Sequence, residues 1–195
     1  MVGCKARARA DVVPEAGVGM PKTWIALALL PALVASVLAS GLARAEGVVF
    51  LTRHAEKSLE VPGDAAPLLT EGSARARTLA RMLVDAGIDE LITTDALRSR
   101  QTGQPFAEVS GLQPQVMTRD EQVAFAARLR AKPDDRDRLM IGHTRNIPRI
   151  LEALGVPGGG QMALNPDTDY DNLFVIQMYP DRPASMVRLR FAIAD

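Results

Sequence analysis

The stretch VVFLTRHAEKS, residues 48–58, joins a run of apolar residues to a cluster of charged ones. The β-branched and apolar residues 48–52 predict a short buried strand. The strand leads into five residues that combine an arginine, a histidine, a glutamate and a lysine, Arg53-His54-Ala55-Glu56-Lys57. Because the whole chain contains only 2 histidines, the position of the other one bears directly on what this cluster does.

The other histidine lies in the same kind of place. Residues 138–142 (RLMIG) predict a second buried strand, and His143 follows it directly. A third short strand is predicted over 90–94, and the helix that opens at Asp95 carries Arg98 near its start. Strands that alternate with helices predict parallel pairing and helices on both faces of the sheet. We therefore expect an α/β fold, a three-layer α/β/α sandwich with a mostly parallel central sheet, in which ligands bind beyond the carboxyl ends of the strands.

Turn-forming residues separate the remaining predicted elements. The predicted helices cover residues 70–85, 95–104, 120–131 and 146–154. The remaining predicted strands cover residues 115–118, 172–178 and 185–191. Thr70 is expected to cap the first helix, and Pro105 is expected to interrupt the second. The last two strands are expected to pair through the turn at 180–183.

Two histidines and two arginines at strand and helix ends have the chemistry to bind and transfer a phosphoryl group. A neutral imidazole is a competent nucleophile. Guanidinium groups bind phosphate oxygens through paired hydrogen bonds and keep their charge. Helix N-termini add backbone N–H donors that face an anion. Phosphoryl transfer to His54 would give a phosphohistidine, which water would then hydrolyse.

Three segments together resemble the histidine phosphatase superfamily, the phosphoglycerate-mutase-like proteins. Residues 53–57 (RHAEK) resemble its Arg-His motif, in the Ala-Glu-Lys variant of small bacterial members. Residues 97–102 (LRSRQT) resemble its Arg-x-x-Gln-Thr segment, and residues 141–144 (IGHT) resemble its Gly-His motif. The segments occur in the family's order, each follows a predicted strand, and the resemblance covers residues 47–178.

The resemblance implies roles for individual residues. His54 would be the nucleophile, and Arg53, Arg98 and His143 would hold the phosphoryl group and stabilise its charge in the transition state. Family members in general need no metal and no organic cofactor. Members of this size form one three-layer domain of the phosphoglycerate-mutase type, without the inserted caps of larger ones.

Three further basic residues lie close to these motifs in the sequence. Lys57 is expected to be a solvated surface residue or a partner in an ion pair, although its nearness to the predicted pocket allows a substrate contact. Arg100 and Arg145 are expected to be solvated surface residues or partners in ion pairs.

The residue that would protonate the leaving group is the least defined part of the predicted site. Such a proton usually comes from a carboxyl group with a raised pKa. In many family members the acid follows the Arg-x-x-Gln-Thr segment, which makes Glu121 the positional candidate, with Glu56 as the other. The run Thr118-Arg119-Asp120-Glu121 also matches a capping box, in which the glutamate only binds a backbone N–H. The resemblance further implies that phosphohistidine phosphatases work without an obvious acid, so that its absence would favour this substrate class.

Residues 1–45 are expected to comprise an N-terminal extension and, from Met20, a segment with the layout of a secretory signal peptide. An uncharged run, residues 24–43 (WIALALLPALVASVLASGLA), leads to the small residues of Ala43-Arg44-Ala45. We expect cleavage after Ala45, which would leave residues 46–195 as a histidine phosphatase domain in the periplasm or outside the cell. The alternative is an uncleaved anchor that faces the same compartment, since about 20 apolar residues span a bilayer.

Two further features of this N-terminal segment affect the interpretation. Translation can begin at Met1 or at Met20, because the signal-like segment starts at the second methionine. The only cysteine, Cys4, precedes the apolar run, so the mature domain would contain no disulfide and no thiol ligand for a metal.

The sequence as a whole predicts an exported histidine-dependent phosphatase. Its substrate would be a phosphomonoester or a phosphohistidine, carried by a small molecule, an envelope component or a phosphoprotein. The formal net charge of +0 gives no indication of a nucleic-acid partner, and membrane contact is expected only through an uncleaved leader. The alternative is a non-catalytic phosphate or sugar-phosphate binding protein that kept the pocket. Mutase activity is a third, less supported reading, because the chain is short.

Overall fold

A six-stranded sheet forms the centre of the structure, a computed structural model that describes residues 46–193. The strands are β1 (Glu46–Arg53), β2 (Glu90–Thr93), β3 (Gln115–Val116), β4 (Arg138–Gly142), β5 (Asn172–Met178) and β6 (Ser185–Arg190). Their order in the sheet is β3-β2-β4-β1-β5-β6. Strands β3, β2, β4 and β1 run parallel, whereas β5 pairs antiparallel with both β1 and β6. The predicted parallel core and the predicted pairing of the last two strands are therefore both present.

Helices cover both faces of this sheet. Those of the described residues are α1 (Thr70–Leu83), α2 (Leu97–Ser110), α3 (Arg119–Ala131) and α4 (Ile147–Ala153). Helices α1 and α2 pack on one face, where Phe106 joins Leu139 of β4 in a core cluster. Helices α3 and α4 pack on the other, where Ala126 and Ile150 join Met140 of the same strand. Since successive side chains of a strand point to opposite faces, β4 contributes to both cores, and the expected three-layer sandwich is confirmed.

Helix α2 differs from its prediction because it continues through Pro105 to Ser110. A proline inside a helix removes one N–H donor and usually bends or ends the helix. Here the next residue, Phe106, is only 1% exposed and packs in the core. The free energy gained by burying Phe106 outweighs the cost of the hydrogen bond lost at Pro105. The helix ends instead at Gly111, whose φ of 74° lies in the left-handed region that favours glycine.

The start of α1 also differs from its prediction, because Thr70 is the first helical residue and not the cap. Leu69 occupies the N-cap position without a side-chain hydrogen bond, and its N–H donates to the carbonyl of Glu56 at 2.9 Å. Gly72 lies so close to this segment that a Cβ would come within 2.2 Å of the same carbonyl oxygen. Close backbone packing against the residues after His54 therefore fixes where α1 begins.

The predicted leader, its cleavage site after Ala45, and Cys4 lie outside the described residues. From residue 46 to residue 193, the structure contains no helix with the length and apolar character needed to cross a bilayer.

Candidate active site

The two histidines meet at the carboxyl ends of neighbouring parallel strands. Strands β1 and β4 pair in a register that places Arg53 opposite Gly142. The backbone N–H of His54 donates to the carbonyl of Gly142 at 3.0 Å. His54 and His143 each follow the last residue of their strand, and their ring centroids lie 5.0 Å apart. Parallel pairing thus joins two residues that are distant in the chain, at the edge where α/β folds bind ligands.

His54 is held in one tautomer and one charge state. Its Nδ1 lies 2.8 Å from the carbonyl oxygen of Ala55, which can only accept a hydrogen bond, so Nδ1 carries the proton. Burial lowers the pKa of His54 to about 3, and the nearby charges of Arg53, Arg98 and Lys57 lower it further. At neutral pH the ring is therefore uncharged and Nε2 carries a free lone pair, as a nucleophile requires.

His143 is also neutral, because burial lowers its pKa to about 2, with His54 and Arg119 adding to the effect. Its Nε2 lies 2.8 Å from the hydroxyl of Thr94, a buried residue that follows β2. Within the described residues this hydroxyl has no other hydrogen-bonding partner. Donation by Thr94 satisfies both groups, whereas donation by Nε2 would leave a buried hydroxyl proton without an acceptor. Nδ1 of His143 therefore carries the ring proton and is available as a donor.

A buried network fixes the backbone around His143. The side-chain oxygen of Asn146 accepts from the N–H of His143 at 2.7 Å, and its amide donates to Gln122 at 2.8 Å. Gln122, which is fully buried in α3, donates to the carbonyl of Ile141 at 3.1 Å. The network ties α3 to the end of β4 and so positions the second imidazole.

Arg53, the last residue of β1, is held by the loop that precedes β5. Its Nη1 and Nη2 donate to the carbonyls of Asn165 at 3.3 Å and Pro166 at 2.7 Å. The guanidinium carbon lies 3.9 Å from the ring centroid of Tyr170, within range of a cation–π contact. The Nε–H of Arg53 is buried and has no hydrogen-bonding partner in the described part of the chain.

Arg98, in the first turn of α2, is held in a similar way by a different loop. Its Nη1 donates to the carbonyl of Gly63 at 3.0 Å, and its Nη2 donates to Asp64 at 3.1 Å. Its Nε–H is likewise buried and without a partner among the described residues. An unpaired buried donor costs about 1–3 kcal/mol, and more when it is charged. Two such charged donors beside two neutral imidazoles indicate a site for an oxyanion, such as a phosphoryl group.

Gln101 and Thr102, the other members of the Arg-x-x-Gln-Thr segment, hold the loop between β1 and α1 that follows His54. The hydroxyl of Thr102 accepts from the N–H of Ala55 at 3.0 Å and donates to the carbonyl of Arg98 at 2.7 Å. The side-chain oxygen of Gln101 accepts from the N–H of Leu68 at 2.8 Å. Arg98 and Thr102 are four residues apart and lie on one face of α2. This face therefore carries Arg98 and, through Thr102, holds the loop that follows His54.

Glu121 has another role in the structure. It is exposed and completes a capping box, in which its carboxylate accepts from the N–H of Thr118 at 2.7 Å. This hydrogen bond lowers the pKa of Glu121, which is opposite to what a general acid needs. The other candidate, Glu56, pairs with Nε and Nη2 of Arg75 at 2.8 and 2.6 Å. Both carboxylates are therefore engaged in structural hydrogen bonds.

The three remaining basic candidates, Lys57, Arg100 and Arg145, differ in their exposure and surroundings. The ammonium group of Lys57 lowers the pKa of His54, so its charge acts on the site. The side chain is partly buried and pairs with no carboxylate of residues 46–193. Arg100 is exposed and lines a cavity of about 470 Å³ beside Gln104 and Val116. Arg145 is exposed.

Several residues at the site were not predicted from the sequence. Thr94 follows β2 directly, as each histidine follows its strand. Its place at a strand end could therefore have indicated that it lies at the site. Asp64 and Arg119 form an ion pair between a loop and α3, and Tyr170 places its ring centroid 6.1 Å from that of His54. Asp64 and Tyr170 come from segments without a motif, and the capping box that contains Arg119 gives no indication of its ion pair.

The described residues provide donors for an anion rather than ligands for a cation. No group of three or more His, Cys, Asp or Glu side chains among them is arranged to hold a metal ion. Arg53, Arg98, Lys57 and Arg119 all contribute positive charge near the histidine pair, which suits the binding of an anion such as a phosphoryl group.

The sequence matches a family model described as the histidine phosphatase superfamily, branch 1, over residues 49–120. The matched region runs from β1 to the start of α3 and includes Arg53, His54 and Arg98. A comparison with curated proteins found no significant match.

Solved structures share the fold. The protein histidine phosphatase SixA, complexed with tungstate, is 18% identical with a TM-score of 0.56, covering 73% of this chain and 96% of its own. A mycobacterial glucosyl-3-phosphoglycerate phosphatase is 15% identical with a TM-score of 0.52, covering 76% of this chain and 100% of its own. At these identities the likeness concerns the fold, which is the expected phosphoglycerate-mutase-like one. The shared fold and the family match over the first two motifs both agree with the resemblance of this chain to the histidine phosphatase superfamily.

Proposed function

We propose that this phosphatase hydrolyses a phosphomonoester or a phosphohistidine through a covalent phosphohistidine on His54. The observation that supports the proposal most directly is the fixed tautomer of His54. Its Nδ1–H is tied to the carbonyl of Ala55, which leaves a neutral Nε2 free beside two guanidinium groups. A site that only bound phosphate would have no need of a nucleophile held in this state.

In the first proposed step, the Nε2 lone pair of His54 attacks phosphorus. The bond from phosphorus to the leaving oxygen or nitrogen breaks, and its electron pair departs with the leaving group. The imidazole then carries a positive charge, and its Nδ1–H bond to Ala55 becomes stronger because the donor is now charged.

The phosphoryl oxygens carry the developing charge of this transition state. The donors proposed for them are the buried Nε–H groups of Arg53 and Arg98 and the Nδ1–H of His143. These donors are held in place by loops and strand ends before the reaction, so little reorganisation is needed when the charge develops.

In the second proposed step, water attacks the phosphorus of phosphorylated His54. The phosphorus–nitrogen bond breaks, its electron pair returns to Nε2, and phosphate leaves with the oxygen of the water. The proton lost by the water passes to phosphate or to solvent. The enzyme is then back in its neutral state.

The carboxylates near the site favour a substrate that needs little protonation as it leaves. Glu56 and Glu121 are both held in other hydrogen bonds and are not proposed as the acid. A phosphoimidazole that is protonated on its second ring nitrogen leaves as neutral imidazole without a proton from the enzyme. Together with the fold shared with a protein histidine phosphatase, this supports phosphohistidine, carried by a phosphoprotein, as the preferred substrate class.

The signal-like segment of residues 1–45 supports the further proposal that the enzyme acts in the periplasm or outside the cell. A phosphorylated envelope component would then be within its reach.

The proposed function can be tested with three phosphorylated compounds that differ in their leaving group. Phosphoramidate and p-nitrophenyl phosphate need little protonation, whereas glycerol phosphate needs an acid. We expect the full-length chain to hydrolyse the first two well above a His54→Asn control, and glycerol phosphate most slowly. Equal rates in the wild type and the control would contradict the proposal. Tight binding of phosphate or vanadate without turnover of any compound would favour the non-catalytic binding protein, which the missing acid motivates.

A further inference from the structure

Asp64 is shared between two arginines at the edge of the candidate active site. It lies in the short 3₁₀ turn Gly63–Ala65 of the loop between β1 and α1. Its Oδ1 accepts from Nη2 of Arg98 at 3.1 Å and also from Nη2 of Arg119, while its Oδ2 lies 3.4 Å from Nη1 of Arg119. One carboxylate therefore joins the buried Arg98 to a partly exposed arginine of α3.

The charges of both members of the Asp64–Arg119 pair act on His143. Arg119 lowers the pKa of His143, and Asp64 raises it. Among the described residues, Asp64 is the carboxylate that hydrogen-bonds one of the two arginines proposed to hold the phosphoryl group. A change in the charge of Asp64 must therefore change the electrostatic potential at the proposed phosphoryl site.

Asp64 is poorly suited to act as the missing proton donor. Its hydrogen bond to Arg119 lowers the pKa of Asp64, and Arg98 lowers it further. The group is thus ionised at neutral pH, and an ionised carboxylate has no proton to give to a leaving group. What it contributes to the site is a negative charge and two acceptor oxygens.

We propose that Asp64 sets how tightly the site holds phosphate, because its carboxylate neutralises part of the charge of Arg98 and Arg119 and competes with a phosphoryl group for their N–H donors. The inference rests on the proposed phosphoryl site. As a consequence, the site binds free phosphate, the product, less tightly than it would if Arg98 and Arg119 had no carboxylate partner. Phosphate is therefore released more readily. Asp64 is in this sense a positioning residue that acts through its two arginines.

The test is the affinity of the full-length chain for inorganic phosphate, measured by calorimetry at low ionic strength. Asp64→Asn removes the charge and keeps an acceptor for Arg98. Removing one negative charge at a half-exposed position beside an anion should tighten phosphate binding by about three- to tenfold. The difference should shrink when salt is added, because salt screens exposed charges. Arg119→Gln should act in the opposite direction and weaken phosphate binding, which keeps the test valid if one variant folds poorly.

Asp134 provides a matched control at the other end of the sheet. Its side chain is 43% exposed and pairs with the buried Arg138 at 2.7 Å, while that of Asp64 is 48% exposed and pairs with Arg98 at 3.1 Å. Asp134→Asn should leave phosphate affinity unchanged. Unchanged or weaker binding in Asp64→Asn, an equal gain in Asp134→Asn, or no measurable phosphate binding by the wild type would overturn the inference.

Turnover measurements separate this inference from the proposed reaction. If Asp64→Asn lowered kcat/KM for glycerol phosphate far more than for p-nitrophenyl phosphate, Asp64 would be a proton donor and the inference would be wrong. If the wild type bound phosphate but hydrolysed nothing, the proposed reaction would fail. The phosphate affinities of the wild type and the Asp64, Arg119 and Asp134 variants would still test the inference.

Discussion

Lowering the pH from 7 to 5 should destabilise the folded protein, because the two histidines remain neutral in the native state. The pKa of His54 is about 3 and that of His143 about 2, whereas an unfolded histidine has a pKa of about 6.5. A group whose folded pKa is depressed in this way binds protons only after unfolding. The stability it supports is complete above the unfolded pKa and is lost as the pH falls toward the folded value.

The size of the effect follows from the same pKa values. Between pH 7 and pH 5 each histidine lowers the free energy of unfolding by about 2 kcal/mol, or about 4 kcal/mol for the pair. The carboxylates with lowered pKa, such as Asp64 and Asp134, lose their contribution only below about pH 4, so this window reports on the histidines. A loss of this size is a large fraction of the stability of an ordinary domain.

Urea unfolding at equilibrium, followed at several pH values, measures this loss. The single variant His54→Asn should show about half the pH dependence, and the double variant His54→Asn/His143→Gln should show little. Since the chain has only 2 histidines, their ring signals can also be followed by NMR and should not titrate between about pH 5 and pH 8. Equal stability of the wild type at pH 7 and pH 5, or ring signals that titrate near pH 6.5, would refute the reasoning.

Three further predictions concern the phosphoryl site and export. Arg98→Lys should lower kcat/KM by about 30- to 1,000-fold, because a paired charged contact worth about 2–4 kcal/mol in the transition state is lost. Arg100→Lys should change kcat/KM little, and equal effects would mean that Arg98 is not the arginine of the Arg-x-x-Gln-Thr segment. Thr94→Val should lower kcat/KM by roughly tenfold, since His143 loses the donor that fixes its tautomer. Thr94→Ser keeps the hydroxyl and should retain most of the wild-type kcat/KM, and an equally low value in Thr94→Ser would contradict the role of Thr94 as a donor to His143. Mass spectrometry of the protein recovered from the periplasm of a bacterial host should show Glu46 as the first residue, and recovery only from membranes with the apolar run attached would indicate an anchor instead.

The elements that build the site were predictable because their signals are local. Strand β4 has its predicted bounds, 138–142, since its apolar run lies between clear turn signals. Both histidines follow predicted strands, and parallel pairing is enough to bring such ends together. The capping box of Thr118 and Glu121 is likewise a pattern of four consecutive residues, and it forms as its sequence indicates.

The parts that could not be predicted depend on contacts between distant segments. Asp64 binds Arg119 across 55 positions, and no local pattern predicts that the two residues are in contact. The end of α2 beyond Pro105 depends on the burial of Phe106, which only the packed core reveals. The cleaved leader stays a prediction, because its residues lie outside the described part of the chain.

The central claim is that His54 becomes covalently phosphorylated during turnover. The direct measurement is to mix the protein with a labelled phosphodonor, quench at high pH, and locate the label by mass spectrometry of peptides. We expect an acid-labile, alkali-stable phosphoryl group on His54, absent from His54→Asn. Label that persists in this variant, or that is found on a serine or on His143, would contradict the account.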